Sequence, residues 1–140
     1  MPARRIMLGS AGGSSAARAS ASATTSSLAP AAADSTTTIT LGKAYLLYSI
    51  QCSRPARVRL YDTAAHRTAD LGRTAGTDPA SDAGVILDFY AADTSVHSLS
   101  PLVDGANLET VPTTAISMTV TNYDTATGTV TVTLTYLRTE

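Results

Sequence analysis

His66, His97, Cys52 and a loose series of aspartates are the side chains of this 140-residue sequence best suited to do chemistry. Zinc sites draw roughly three or four N or S ligands from short spacings. Two histidines in separate segments and one cysteine make no such set, so His66 and His97 are read as surface residues. Cys52 lies in an apolar stretch and is read as a buried thiol. Asp78, Asp82, Asp88, Asp93 and Asp104 fall in or near expected loops, where calcium finds its roughly six to eight oxygen ligands. The sequence has no Asp-x-Asp-x-Asp run, however, and loop aspartates ordinarily open turns by bonding their own backbone. Of the carboxylates that could pair for hydrolysis, only Asp88, Asp93 and Glu140 fall on expected strands or their ends, and no neighbours single them out. Gly-x-Ser-x-Gly, Gly-x-Gly-x-x-Gly and the phosphate-binding loop are missing. No catalytic residue, metal or cofactor is expected, and the chain is read as a non-enzyme.

The remaining candidate is a surface that holds a partner. Arg54, Arg57 and Arg59, with Tyr61, form a basic and aromatic strip, with Arg57, Arg59 and Tyr61 pointing away from Val58 and Leu60. Arg and Tyr are enriched where interfaces are anchored. Tyr45 and Leu47, on the outer face of the neighbouring expected strand, extend the patch. A solvated outer face is the alternative reading.

These residues need strands to position them. Ile116, Met118 and Val120 alternate with Ser117, Thr119 and Thr121. Val130, Val132, Leu134 and Tyr136 then alternate with threonines. Period-2 alternation separates a buried face from a wet one, and the turn-prone residues 122–128 predict an antiparallel hairpin. Earlier strands are expected at 36–41, 44–53, 56–61, 85–90 and 95–99. In 44–53 the residues Leu46, Tyr48, Ile50 and Cys52 share a face. A short helical turn is expected at 64–70, with loops at 76–84 and 102–114. Arg54-Pro55 and Pro101 act as strand breakers. Seven short strands with turn chemistry between them predict an all-β chain, an antiparallel β-sandwich of jelly-roll or Ig-like type, over residues 35–140.

Residues 1–34 differ in composition. Eighteen of them are Ala or Ser, so the segment is too poor in large side chains to order itself. It is read as an extended assembly arm, held by neighbouring chains through main-chain hydrogen bonds and the anchors Ile6, Met7, Leu8 and Leu28. Fully extended it reaches roughly 110 Å. Ile6-Met7-Leu8 is shorter than the apolar centre of a secretory signal, so export is not expected. A net charge of −1, with only 15% charged residues, argues against a nucleic-acid partner. No apolar run approaches the ~20 residues of a membrane span. Low charge also leaves little charge-based solubility, which suits a protein living inside an assembly.

One resemblance is carried by several segments. Gly42-Lys43-Ala44-Tyr45 enters a strand, and Val58-Arg59-Leu60-Tyr61 precedes Ala65, Arg67, Ala69-Asp70 and Arg73. Asp78-Pro79 precedes Gly84-Val85-Ile86, and Thr113-Thr114-Ala115-Ile116 leads to Val120-Thr121-Asn122. Over about residues 40–138 the pattern resembles small β-sandwich structural proteins of tailed bacteriophage particles. The resemblance implies a virion component, either a capsid cement protein or a tail, baseplate or fibre-anchoring subunit. Its expected partners are the major capsid protein or other virion subunits, and a homotrimer is the expected closed assembly. A carbohydrate-binding module is the reading from another class, although the chain has no Trp and one Phe for an aromatic platform.

Overall fold

Val58 and Leu60, Met118 and Val120, and Val132 and Leu134 are all fully buried, and each pair sits two residues apart on its own strand. That spacing places them on one face of their strands, toward a core between two layers. The structure, a computed structural model, describes residues 17–140. Among these residues the order is β1 (Arg18–Thr24), β2 (Ala33–Asp34), β3 (Thr38–Thr40), β4 (Ala44–Cys52) and β5 (Ala56–Tyr61). Then follow α1 (Ala64–Asp70), β6 (Val85–Ala91), β7 (His97–Ala106), β8 (Ala115–Asn122) and β9 (Thr131–Arg138). The strands form two antiparallel sheets, one ordered β1-β9-β4-β7 and the other β2-β8-β5-β6, with β3 also pairing β8. The expected all-β sandwich is therefore present.

Pairing is nested. The first strand lies against the last, β2 and β3 against β8, β4 against β7, and β5 against β6. The expected hairpin at 116–136 does not form, because β8 and β9 belong to different sheets. Alternation specifies which face of a strand is apolar, but not which strand lies alongside. Residues between the two strands cross from one layer to the other, and the Leu28–Gly128 bridge and the fully buried Val130 fix that crossing. The threonines expected in water on β8 are also covered, with Thr119 and Thr121 buried.

Among the described residues the sandwich already includes Arg18–Thr24, ahead of the expected start at Ser35. Ala19, Ala21 and Ala23 alternate with Ser20, Ser22 and Thr24, a strand pattern written in small side chains. Ala21 and Ala23 pack against the core, while Ser22 and Thr24 meet Thr133 and Thr131 hydroxyl to hydroxyl at 2.8 Å each. The Arg18 guanidinium lies 4.0 Å from the centroid of the Tyr48 ring, a cation–π contact that pins this edge strand. Leu28, expected to anchor a neighbouring chain, is buried in its own core. Ile6, Met7 and Leu8 lie outside the described residues.

Asp34 organises the interruption between β2 and β3. Its carboxylate accepts from the amides of Ser26, Thr36 and Thr37 at 3.1, 2.7 and 3.1 Å, and from the Thr36 and Thr37 hydroxyls at 2.9 Å each. Burial alone raises a carboxyl, but the amides and hydroxyls outweigh it and hold Asp34 well below the usual carboxylate range. The pairing register on β8 shifts by one residue across this site, as a β-bulge requires.

Two further differences have local causes. On β4 the register against β9 shifts between Leu47 and Ser49, so the strand turns over midway. Tyr45 and Leu47 point inward ahead of the bulge, and Ile50 and Cys52 do so after it. The outward patch expected from Tyr45 and Leu47 does not exist, since both are fully buried. Pro101 does not end its strand, because β7 is an edge strand and runs on to Ala106. Proline is tolerated at an edge, where no ladder donor is lost.

Candidate functional site

β5 places Arg57, Arg59 and Tyr61 on the face turned away from the core, yet none is at the surface. Arg57 is 3% exposed, Arg59 2% and Tyr61 0%. They are covered by the chain that follows them, α1 and the loop leading to β6. Thr63 caps α1 by accepting from the His66 amide at 3.1 Å, and the Glu109 carboxylate accepts from the Ala64 amide at 2.6 Å. The helix ends at Asp70, which turns inward over β5.

An ionic cluster fills this space. Arg57 forks onto Asp88, with Nε to Oδ1 and Nη2 to Oδ2 both at 2.9 Å, and its Nη1 donates to the Arg73 carbonyl at 3.1 Å. Arg73 forks onto Asp70 at 2.7 and 3.0 Å, and its Nη1 reaches Asp88 Oδ2 at 2.8 Å and the Thr77 carbonyl at 2.7 Å. Arg59 donates to the Asp70 carbonyl at 3.0 Å, and Tyr61 donates its hydroxyl to Asp70 Oδ2 at 2.6 Å. Bidentate guanidinium–carboxylate pairs of this kind are strong and directional. The strip expected to bind a partner is instead the bed on which residues 64–84 lie. Arg54 sits apart, 3.3 Å from Asp124 in the loop after β8.

Electrostatics follow from that packing. Burial pushes the Asp70 and Asp88 carboxyls upward, but bonds from Arg73 and Tyr61 to Asp70, and from Arg57 and Arg73 to Asp88, hold both below the usual range. A general acid needs the opposite shift. Tyr61 is pushed up by burial and by its bond to Asp70, and burial pushes the Cys52 thiol up to about 11. His66 bonds Asp62 at 2.6 Å, which raises its pKa. His97 faces Asp93 at 3.2 Å and packs beside Phe89. Among the described residues no three His, Cys, Asp or Glu side chains converge as metal ligands, and no helix is long and apolar enough to cross a membrane.

The exposed margin of the cluster is open. Tyr90, at the end of β6, is 53% exposed and stacks on Tyr123, with ring centroids 4.7 Å apart and planes 9° from parallel. Tyr90, Arg57, Arg73 and Asp88 line a cleft of about 290 Å³ with Gly76, Thr77, Asp78 and Pro79. A larger, shallower depression of about 520 Å³ runs past Asp62, Gly84, Asp104, Gly105 and Leu108. Sequence reasoning missed the tyrosine pair, because Tyr90 and Tyr123 lie far apart in the chain and only the β6–β5–β8 pairing brings them together. The signal that was present is charge: Arg57 and Arg59 carry two positive charges onto a face that Asp70 and Asp88 can reach.

No family model matches this chain, and neither curated proteins nor solved structures give a match.

Proposed function

We propose that this chain is a structural component of a tailed-phage particle, its domain a jelly roll that sits on the capsid as a cement protein. The observation that carries this reading is the strand order. With β2 and β3 taken as one interrupted strand, the nested pairs run from first-with-last to β5-with-β6 across two four-stranded sheets, which supports the jelly-roll reading. Double-sheet jelly rolls of this kind serve viral capsids and lectins. The resemblance over residues 40–138 points the same way.

The assembly role rests on residues 1–16, with Ile6, Met7 and Leu8 as anchors onto the major capsid protein or a neighbouring copy, within a homotrimer. Arg18 opens β1, which stands at the end of its sheet. Contacts made only in the assembled shell stabilise the shell by linkage. A tail, baseplate or fibre-anchoring position is the alternative within the same class.

Retention on purified DNA-filled heads that lack tails tests the cement reading. The full chain is expected to bind and to raise the temperature at which heads release DNA, and a chain starting at Ala17 is expected to fold but bind weakly. Binding only to tailed particles transfers the role to the tail. Binding to neither removes the virion reading.

A further inference from the structure

We infer that the cleft beside Tyr90 is a binding site for a neutral saccharide. Three observations converge there. The first is the aromatic wall. Tyr123 occupies one face of the Tyr90 ring at 4.7 Å, holding the ring in place, while Tyr90 remains half exposed and lines the cleft. A fixed, exposed ring packs against the C–H face of a pyranose at little cost in side-chain entropy.

The second is rigidity around the ring. The Arg73 guanidinium holds the opposing loop by its bond to the Thr77 carbonyl at 2.7 Å. Arg57 and Arg73 hold Asp88 from two sides at 2.8–2.9 Å. A site assembled before the ligand arrives does not spend binding energy on ordering itself.

The third is charge. Arg57 and Arg73 would favour an anion if they were free, but each is forked onto a carboxylate. Asp78 adds a further negative charge to the lining. Anionic sugars and phosphates are therefore disfavoured. The Asp78 carboxylate can accept from paired sugar hydroxyls, Asp88 Oδ1 keeps room for one more donor beside Arg57, and the Thr77 hydroxyl can donate or accept. A cleft of about 290 Å³ is at the small end for ligand sites, suited to one or two sugar rings.

This site is independent of particle attachment, and the experiment separates the two. The full chain is titrated calorimetrically with glucose, galactose, N-acetylglucosamine and their β-linked disaccharides, alongside sialyl-lactose and inorganic phosphate. At least one neutral sugar is expected to saturate the chain, and Tyr90→Ala to weaken it by about tenfold or more. Tyr90→Phe, which keeps the ring, is expected to retain binding, and Asp78→Asn to weaken it with an unchanged thermal midpoint. Should Tyr90→Ala fail to fold, Asp78→Asn carries the test from an exposed loop. Tyr90→Ala is still expected to join DNA-filled heads, so failure of either idea leaves the other standing. Saturation by no neutral sugar at millimolar concentration overturns the inference. So does preference for sialyl-lactose or phosphate, or wild-type affinity in both Tyr90→Ala and Asp78→Asn.

Discussion

The Tyr61 hydroxyl donates at 2.6 Å to Oδ2 of Asp70, the buried last residue of α1. One bond thus joins the middle of a sheet to the end of α1. Asp70 also receives two bonds from Arg73, so losing a donor leaves a buried carboxylate short of partners. Tyr61→Phe is expected to cost ~1–2 kcal/mol in urea unfolding. Asp70→Ala is expected to cost more, ~3–5 kcal/mol, because it removes the carboxylate that pairs buried Arg59 and receives two bonds from Arg73. An unchanged midpoint in Asp70→Ala would show that the cluster does not hold the helix down.

Tyr45 gives the opposite expectation for the same substitution. Its hydroxyl is buried and finds no partner among the described residues, so Tyr45→Phe removes an unmet desolvation cost. The thermal midpoint is expected to stay level or rise. Gly105 lies directly over that ring, and a Cβ there would stand 2.5–2.6 Å from its carbons and hydroxyl oxygen. Gly105→Ala is expected to destabilise by ~1–3 kcal/mol. Differential scanning calorimetry of the two variants reads both effects.

Acid should unfold the chain through its aspartates. Asp34, Asp70 and Asp88 all have folded pKa values below their ordinary ones. Depressed carboxyls contribute stability that is complete above the unfolded value, about 4, and that drains away as pH falls through the folded values. Stability is therefore expected to be flat on this account from about pH 5 to 7 and to fall steeply below about pH 4. Asp34→Asn should lower the plateau and flatten the acid limb, as followed by circular dichroism between about pH 2 and 7. An acid limb identical to wild type would remove Asp34 as a contributor.

The first strand should be essential to the domain. Deleting residues 1–16 is expected to leave the unfolding midpoint near wild type. Deleting 1–34 uncovers the edge of β9 and removes Leu28 from the core, so that shorter chain is expected to unfold or aggregate. Leu28→Ala, a milder form of the same loss, should cost ~2–4 kcal/mol. A well-folded 35–140 fragment would return β1 to the status of an appendage.

Strand β5 and helix α1 were legible to the residue, because Val58 and Leu60 alternate cleanly and the stretch after Tyr61 is polar and helix-tolerant. Neighbour relations were not. The apolar face of 116–120 is satisfied equally by a hairpin partner or by an opposing sheet, and only the latter forms. A bulge beside Tyr48 turned the expected faces of β4 over, since one extra residue exchanges inside for outside. In β1 the alternation was present, but alanine against serine has too little contrast in hydrophobicity to stand out. The strip of Arg57, Arg59 and Tyr61 was found as a group and misjudged as surface, because a single strand gives no notice of the helix that will lie on it.

Arg18 pairs with Leu137, so the two ends of the described chain meet only after nearly everything between them has been made. During synthesis β1 leaves the ribosome with no partner, and β9 is the last of the described strands to emerge. Closure of the sandwich therefore waits until β9 has been made, and contacts so distant in sequence form slowly. An opening strand built from serine and alanine can wait in water without seeking the wrong company, which a leucine-rich one could not.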